Sequence, residues 1–124
     1  MRFPFVSARA VVPEGCLVAV LPTAGVAQVD LWLPFPRGAC PVSGNPILGA
    51  VHVSYQPGDA VVELVSTHRL VQRVGRSPTA DAQSVEGAAK WLHDELERAV
   101  GVPVIVEVWL LVRPGPQLYR VRCG

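Results

Sequence analysis

VEGAAKWLHDELERAV, residues 85–100, is the stretch that decides the fold. Its apolar residues recur at the spacing that places them on one side of an α-helix: Val85, Ala88, Ala89, Leu92, Leu96, Ala99 and Val100. Ser84 is a suitable N-cap, and the run Gly-Val-Pro at 101–103 is a stop signal. The stretch therefore predicts a helix that packs one face against a core.

Strand patterns surround this helix. The other predicted elements are strands at 16–21, 26–33, 48–55 and 60–63, a weaker helix at 64–74, and strands at 104–112 and 117–123. We expect 60–63 to pair with 48–55, and 117–123 to pair with 104–112. The order predicts an α+β fold, an antiparallel sheet with two helices layered on one face. About four such strands leave open edges, which favours barrel-like closure through neighbouring copies.

Length and composition narrow the class of protein. A chain of 124 residues predicts one domain over 1–124, with N-terminal strands in 1–34, a loop in 35–47 and a ββααββ unit in 48–123. Half of the residues are apolar and 17% are charged, which excludes a disordered, highly charged segment. The formal net charge of +1 implies no whole-molecule attraction to nucleic acid or anionic lipid, although local arginine patches remain possible.

Location and assembly follow from the same composition. No apolar run reaches the ~18–20 residues of a membrane span, and residues 1–4 lead into no signal-peptide core. We therefore expect a cytoplasmic protein without a membrane partner. An apolar chain this small has little polar surface to cover itself, so we expect part of it to be buried against other copies.

Common catalytic and metal motifs are absent from the sequence. It contains no glycine-rich phosphate loop, no GxSxG, no HExxH and no CxxC, so no metal site is expected. The cysteines are Cys16, Cys40 and Cys123. Cys40 stands apart because residues 34–46 hold four prolines and two glycines, which predicts a rigid loop. Such a loop can hold a thiol in one orientation, as a nucleophile requires.

The residues that follow Cys40 resemble the QueF family of tunnel-fold (T-fold) nitrile enzymes. CPVSGNP at 40–46, VSYQPG at 53–58 and VEL at 62–64 are collinear with the family's Cys-Pro-x-Thr/Ser-Gly-x-Pro, Ile-Ser-Tyr-x-Pro and Val-Glu-Ser/Leu-Lys motifs. The later helix with Glu86 and the strand VEVW at 106–109 also fit. The resemblance covers roughly residues 27–123 and is most specific between Cys40 and Glu63.

The resemblance implies a fold, an activity and a set of residues. The family's subunits assemble into barrels, with active sites at the subunit interfaces. Its members act on 7-cyano-7-deazaguanine through a thioimide on the loop cysteine, here Cys40. Glu86 matches the glutamate that anchors the purine-like ring, and a carboxylate suits a guanine-type N–H and NH₂ edge. Glu63 matches the glutamate of the family's reductase motif, and Ser66 within that motif is a further predicted substrate-binding residue.

The sequence also departs from the family pattern. The aspartate that protonates the nitrile nitrogen is replaced by Ile47, and the histidine before the ring-binding glutamate by Val85. Isoleucine transfers no proton, and such a transfer is typically worth about 10²–10⁴-fold in rate. We consider His52 and Asp59 as replacement donors, besides Asp30 or a group on a neighbouring subunit.

Two lysines of the reductase motif are also missing. Val65 and His68 stand in their places, and lysines there would suit the phosphates of NADPH. We therefore favour the archaeosine synthase-like branch, which needs no NADPH and forms an amidine from ammonia on a base in tRNA. Two alternatives remain open. One is an NADPH-dependent reductase of queuosine biosynthesis, and the other is a T-fold paralogue that binds a purine- or pterin-like ring without converting it.

Overall fold

A computed structural model describes residues 10–36, 47–76, 79–112 and 117–124. Its elements, in chain order, are β1 (Val20–Pro22), β2 (Val29–Pro34), β3 (Ile47–Tyr55), β4 (Ala60–Val62), α1 (Leu64–Arg76), a 3₁₀ turn (Ala80–Ala82), α2 (Val85–Val100), β5 (Ile105–Val112) and β6 (Gln117–Cys123). The helix predicted at 85–100 has these bounds. The Ser84 side chain accepts the N–H of Gly87 at 2.9 Å, and Gly101 ends the helix in the left-handed region, at φ 73°.

The main sheet has four antiparallel strands in the order β2-β3-β5-β6. Both helices lie in the connection from β3 to β5, so the predicted α+β class is confirmed. At 13 and 16 residues, α1 and α2 are shorter than the ~20 residues that cross a bilayer. Accordingly, no helix in the described part of the chain can span a membrane.

The core lies between the sheet and the two helices. Side chains alternate between the faces of a strand, and the positions that face the helices, such as Val51, Val53, Val106 and Val108, are wholly buried. The helices contribute Leu70, Val71, Val74, Ala88, Ala89, Leu92 and Leu96 to this core. The opposite face of the sheet is mixed. It carries charged and aromatic residues, among them Trp32 with 57% of its surface exposed, and also the exposed Leu48 and Leu118.

The predicted pairing of residues 60–63 with 48–55 is wrong. β3 lies inside the sheet, where it pairs with β2 over Ala50–Tyr55 and with β5 over Ile47–Ser54, so both of its edges are occupied. β4 instead pairs with β1, and the strand predicted at 16–21 shortens to Val20–Pro22. The ββααββ unit is therefore formed by β2, β3, α1, α2, β5 and β6. It begins with β2 at Val29, before the predicted start at residue 48.

Candidate functional site

The predicted nucleophile, Cys40, lies outside the described residues, whereas the chain that leads into its loop is described. Phe35 is buried in the core, and its N–H donates to the Gly49 carbonyl of β3 at 2.9 Å. Pro36 packs against Gly75 in the last turn of α1 so closely that a Cβ on Gly75 would lie 2.6 Å from the Pro36 oxygen. β3 begins directly after the loop. The chain thus leaves and re-enters at one end of the sheet, which we call the loop end.

Glu86, the predicted ring-binding carboxylate, lies at the loop end. It is exposed in the first turn of α2, and the hydroxyl of Tyr119 on the edge strand β6 donates a hydrogen bond to it. Tyr119 is opposite Leu110 of β5, which is opposite Gly49 of β3. Because neighbouring strands lie about 4.8 Å apart, β3 and β6 are separated by about 10 Å along this row. Glu86 and the chain leading into the Cys40 loop therefore share one end of the sheet.

The hydrogen bond to Glu86 raises the pKa of Tyr119 above its usual value. Ionising the phenol would place a second negative charge beside the carboxylate. Burial raises the pKa of Tyr55, the only other tyrosine in the sequence. In a spectrophotometric titration, both tyrosines should therefore ionise above the ordinary value of about 10.

We expect Glu86→Gln to return one of the two tyrosine pKa values toward the ordinary value and to leave the other raised. Glutamine can still accept the hydrogen bond but carries no charge. The exposed Glu14 is a control site, and Glu14→Gln should leave both tyrosines unchanged. An unaltered titration curve for Glu86→Gln would contradict the Tyr119–Glu86 contact.

Glu63 and Ser66, the other predicted substrate-binding residues, build the start of α1. The Glu63 carboxylate accepts the backbone N–H groups of Val65 and Ser66, the latter at 3.1 Å. The Ser66 hydroxyl donates to the Glu63 carbonyl at 3.2 Å and accepts the N–H of Ala19 at 3.0 Å. A carboxylate at a helix N-terminus satisfies N–H groups that lack partners within the helix. The hydrogen bonds at the start of α1 therefore give Glu63 and Ser66 a structural role within this copy of the chain.

Glu63 is remote from the loop end. β3 runs away from the loop end for nine residues to Tyr55, which corresponds to roughly 26 Å at about 3.3 Å per step. The Tyr55 hydroxyl accepts the N–H of Val62 at 2.8 Å, which places the neighbouring Glu63 at this far end. Asp59, a predicted proton donor, is exposed in the turn after Tyr55 and lies there too. Within one copy of the chain, Glu86 therefore lies at the loop end, whereas Glu63 and Asp59 lie at the far end.

His52, the other predicted proton donor, lies on the face of the sheet that points away from the helices. Its Nε2 is 2.9 Å from a carboxylate oxygen of Asp30, and its Nδ1 is 3.0 Å from one of Glu107. Both ring nitrogens of His52 therefore lie within hydrogen-bond distance of a carboxylate oxygen. Trp32 stacks on the ring at 4.3 Å, and Arg120 lies 3.4 Å from Glu107. His52 is thus engaged on the face opposite Glu86.

Sequence reasoning missed most of this cluster. It named Asp30 and His52 as proton donors and noted the strand VEVW at 106–109, but it did not group Glu107, Trp109 or Arg120 with His52. The Arg120 guanidinium lies 5.3 Å from the centre of the Trp109 ring. The members come from four strands and meet only through the strand register, which a single sequence does not reveal. The available signal was the alternation of polar and apolar residues along each strand. In the described ranges no cluster of histidine, cysteine and acidic side chains is arranged to hold a metal ion.

A cleft of about 580 Å³ opens at the far end of the sheet. Residues 54–56, which belong to the Ser-Tyr-x-Pro motif, form one wall, and Glu97 with residues 102–105 forms another. Its volume is within the range of pockets for small molecules. The motif therefore borders a cavity. This cavity lies at the far end of the sheet, away from the loop end of the same copy.

No protein-family model matches the chain, and no curated protein matches it.

Proposed function

We propose that this protein modifies 7-deazaguanine bases by forming an amidine from the nitrile of 7-cyano-7-deazaguanine, with the base held in tRNA. Cys40 is the nucleophile and Glu86 binds the ring. The observation that carries the proposal is the placement of Glu86 at the end of the sheet where the chain enters and leaves the Cys40 loop. The carboxylate contacts the N–H and NH₂ edge of the six-membered ring, and the nucleophile attacks the nitrile on the five-membered ring. The two groups must therefore lie no farther apart than one base can span, and the position of Glu86 at the loop end supports this.

Strand order supports a tunnel fold for the proposed enzyme. Two strands, two helices and two strands follow one another along the chain, and the sheet keeps that order as β2-β3-β5-β6. Both outer strands, β2 and β6, have one edge unpaired by any other described strand. Pairing of these edges between copies would close the sheet into a barrel. We therefore propose a homo-oligomer.

The proposed site spans two copies. Glu63, Asp59 and the cleft beside Tyr55 lie at the far end, whereas Pro36 and Ile47, which flank the Cys40 loop, lie at the loop end. A site that uses both ends needs the loop end of one copy against the far end of another. Asp59 from the second copy would then supply the proton that Ile47 cannot give.

The chemistry balances without a redox cofactor. The Cys40 thiolate adds to the nitrile carbon, one bond of the C≡N group opens, and its nitrogen takes a proton, giving a thioimide. Ammonia then adds to the same carbon and the thiolate leaves, so the product is an amidine containing the atoms of nitrile plus ammonia. Val85, in place of the family's histidine, packs against the core and does not take part.

Intact-mass spectrometry with 7-cyano-7-deazaguanine tests this proposal. We expect the wild-type protein to gain the mass of one nitrile molecule, and Cys40→Ala to gain none. Cys16→Ala and Cys123→Ala are matched controls, since both thiols are free and lie in described parts of the fold. Both controls should retain the adduct.

Assays of nitrile consumption and NADPH oxidation distinguish amidine formation, reduction and binding without conversion. Ammonia-dependent loss of the nitrile without NADPH supports amidine formation. NADPH oxidation would instead identify the reductase. Thermal stabilisation by the base without a mass shift would identify a binding protein that has lost the chemistry.

A further inference from the structure

One face of α1 carries a stripe of arginines. Arg69, Arg73 and Arg76 are all exposed and are spaced by four and three residues, so they follow one side of the helix. No acidic residue occurs between Leu64 and Arg76. On a chain whose formal net charge is only +1, this concentrates positive charge on one helix. We call these three residues the arginine stripe.

The arginine stripe has no acidic partner in the described part of the chain. Two basic residues of α2 do have partners: Lys90 contacts Asp94 at 2.7 Å, and Arg98 contacts Glu95 at 2.7 Å. Arginines in the last turn of a helix complement its dipole, which would account for Arg73 and Arg76 but not for Arg69. The stripe therefore has positive charge available for an external anion.

A hollow of about 230 Å³ lies between the stripe and the N-terminal segment. Arg69 and Arg73 form its charged side, and Leu17 with Leu70 forms an apolar side. A guanidinium presents parallel N–H donors that match phosphate oxygens. The hollow thus offers a concave, positively charged surface that suits a phosphate group.

The helix that carries the arginine stripe contacts the segment that precedes the Cys40 loop. The side chain of Gln72, on the same helix, donates to the Pro34 carbonyl at 3.0 Å, and Gly75 packs against Pro36. Residues 34–36 lead directly into the loop. A polyanion that lies along α1 therefore reaches Pro36, the last described residue before the Cys40 loop.

We propose that the arginine stripe binds the sugar-phosphate backbone of tRNA. This inference rests on the proposed function, because it assigns the tRNA a docking surface. Contacts of this kind position a nucleic acid without reading its sequence.

Fluorescence anisotropy with labelled, unfractionated tRNA tests the arginine stripe. We expect the triple variant R69Q/R73Q/R76Q to bind at least tenfold more weakly than wild type at low salt. The slope of log affinity against log salt should fall by about two to three, because three phosphate contacts are lost. The control K90Q/R98Q/R122Q removes the same charge from exposed residues outside α1 and should bind nearly as wild type.

Three results would overturn the inference. They are equal losses in both triple variants, no loss in R69Q/R73Q/R76Q, and binding of phosphatidylserine vesicles in preference to tRNA. The docking surface can be tested apart from the chemistry. Cys40→Ala should bind tRNA as wild type does, and R69Q/R73Q/R76Q should still form the adduct with the free base. A protein that binds tRNA through the stripe but forms no adduct would refute the proposed chemistry alone.

Discussion

Gly75→Ala is expected to lower the free energy of unfolding by about 1–3 kcal/mol, the range for overpacked positions. Alanine normally stabilises a helix by about 1 kcal/mol relative to glycine, so the expected sign is reversed. The cause is the Pro36 oxygen, 2.6 Å from where the new Cβ would lie, together with a Pro36 ring carbon at 2.8 Å. Backbone atoms cannot turn aside as a flexible side chain can. Denaturant titration measures the loss.

His68→Ala is the matched control on the same helix. His68 is exposed, and replacing it with a better helix former should leave stability within about 0.5 kcal/mol of wild type. Because Pro36 leads into the Cys40 loop, Gly75→Ala should also slow adduct formation. A Gly75→Ala variant more stable than wild type would contradict the close packing of α1 on Pro36.

Tyr55→Phe is expected to destabilise the protein by about 1–3 kcal/mol. The Tyr55 hydroxyl accepts the N–H of Val62 at 2.8 Å, and both residues are buried. Phenylalanine would leave that N–H unsatisfied, and leaving a buried donor unpaired costs its full desolvation. Thermal or chemical unfolding measures the effect. Tyr119→Phe makes the same chemical change at a position that is 44% exposed, so its cost should be much smaller.

The pH dependence of stability gives a second readout for Tyr55. Burial raises the pKa of Tyr55 in the folded state above the unfolded value of about 10. The folded protein therefore keeps this proton when the unfolded chain would release it. This stabilisation is fully present below pH 10 and is lost as pH rises through the folded pKa. Tyr55→Phe should reduce the loss of stability above pH 10, and equal alkaline profiles for the two proteins would contradict the assignment.

Local patterns predicted most of the elements. The apolar spacing at 85–100, its Ser84 cap and the glycine at 101 are all local features, and each has the expected place in the structure. The strand at 117–123 also has its predicted bounds. The pairing of β4 was missed because a short strand after a turn resembles half of a hairpin. Its true partner, β1, lies far away in the sequence.

The candidate site was only partly accessible from sequence. Glu63 directly precedes a predicted helix, and that position was an available signal for its capping role. The grouping of Glu86 with the loop end depends on the register through Leu110, and register is a long-range property. The engagement of His52 by two carboxylates depends on it as well.

One side-chain hydrogen bond and one ion pair of β6 affect the register of this strand. Tyr119 reaches Glu86 on the helix side of the strand, and Arg120 reaches Glu107 on the other. A slip of one residue would turn every side chain of β6 to the opposite face and break both bonds at once. Tyr119 and Arg120 together therefore fix the register of β6 against β5. This register also sets the position of the Tyr119 hydroxyl beside Glu86.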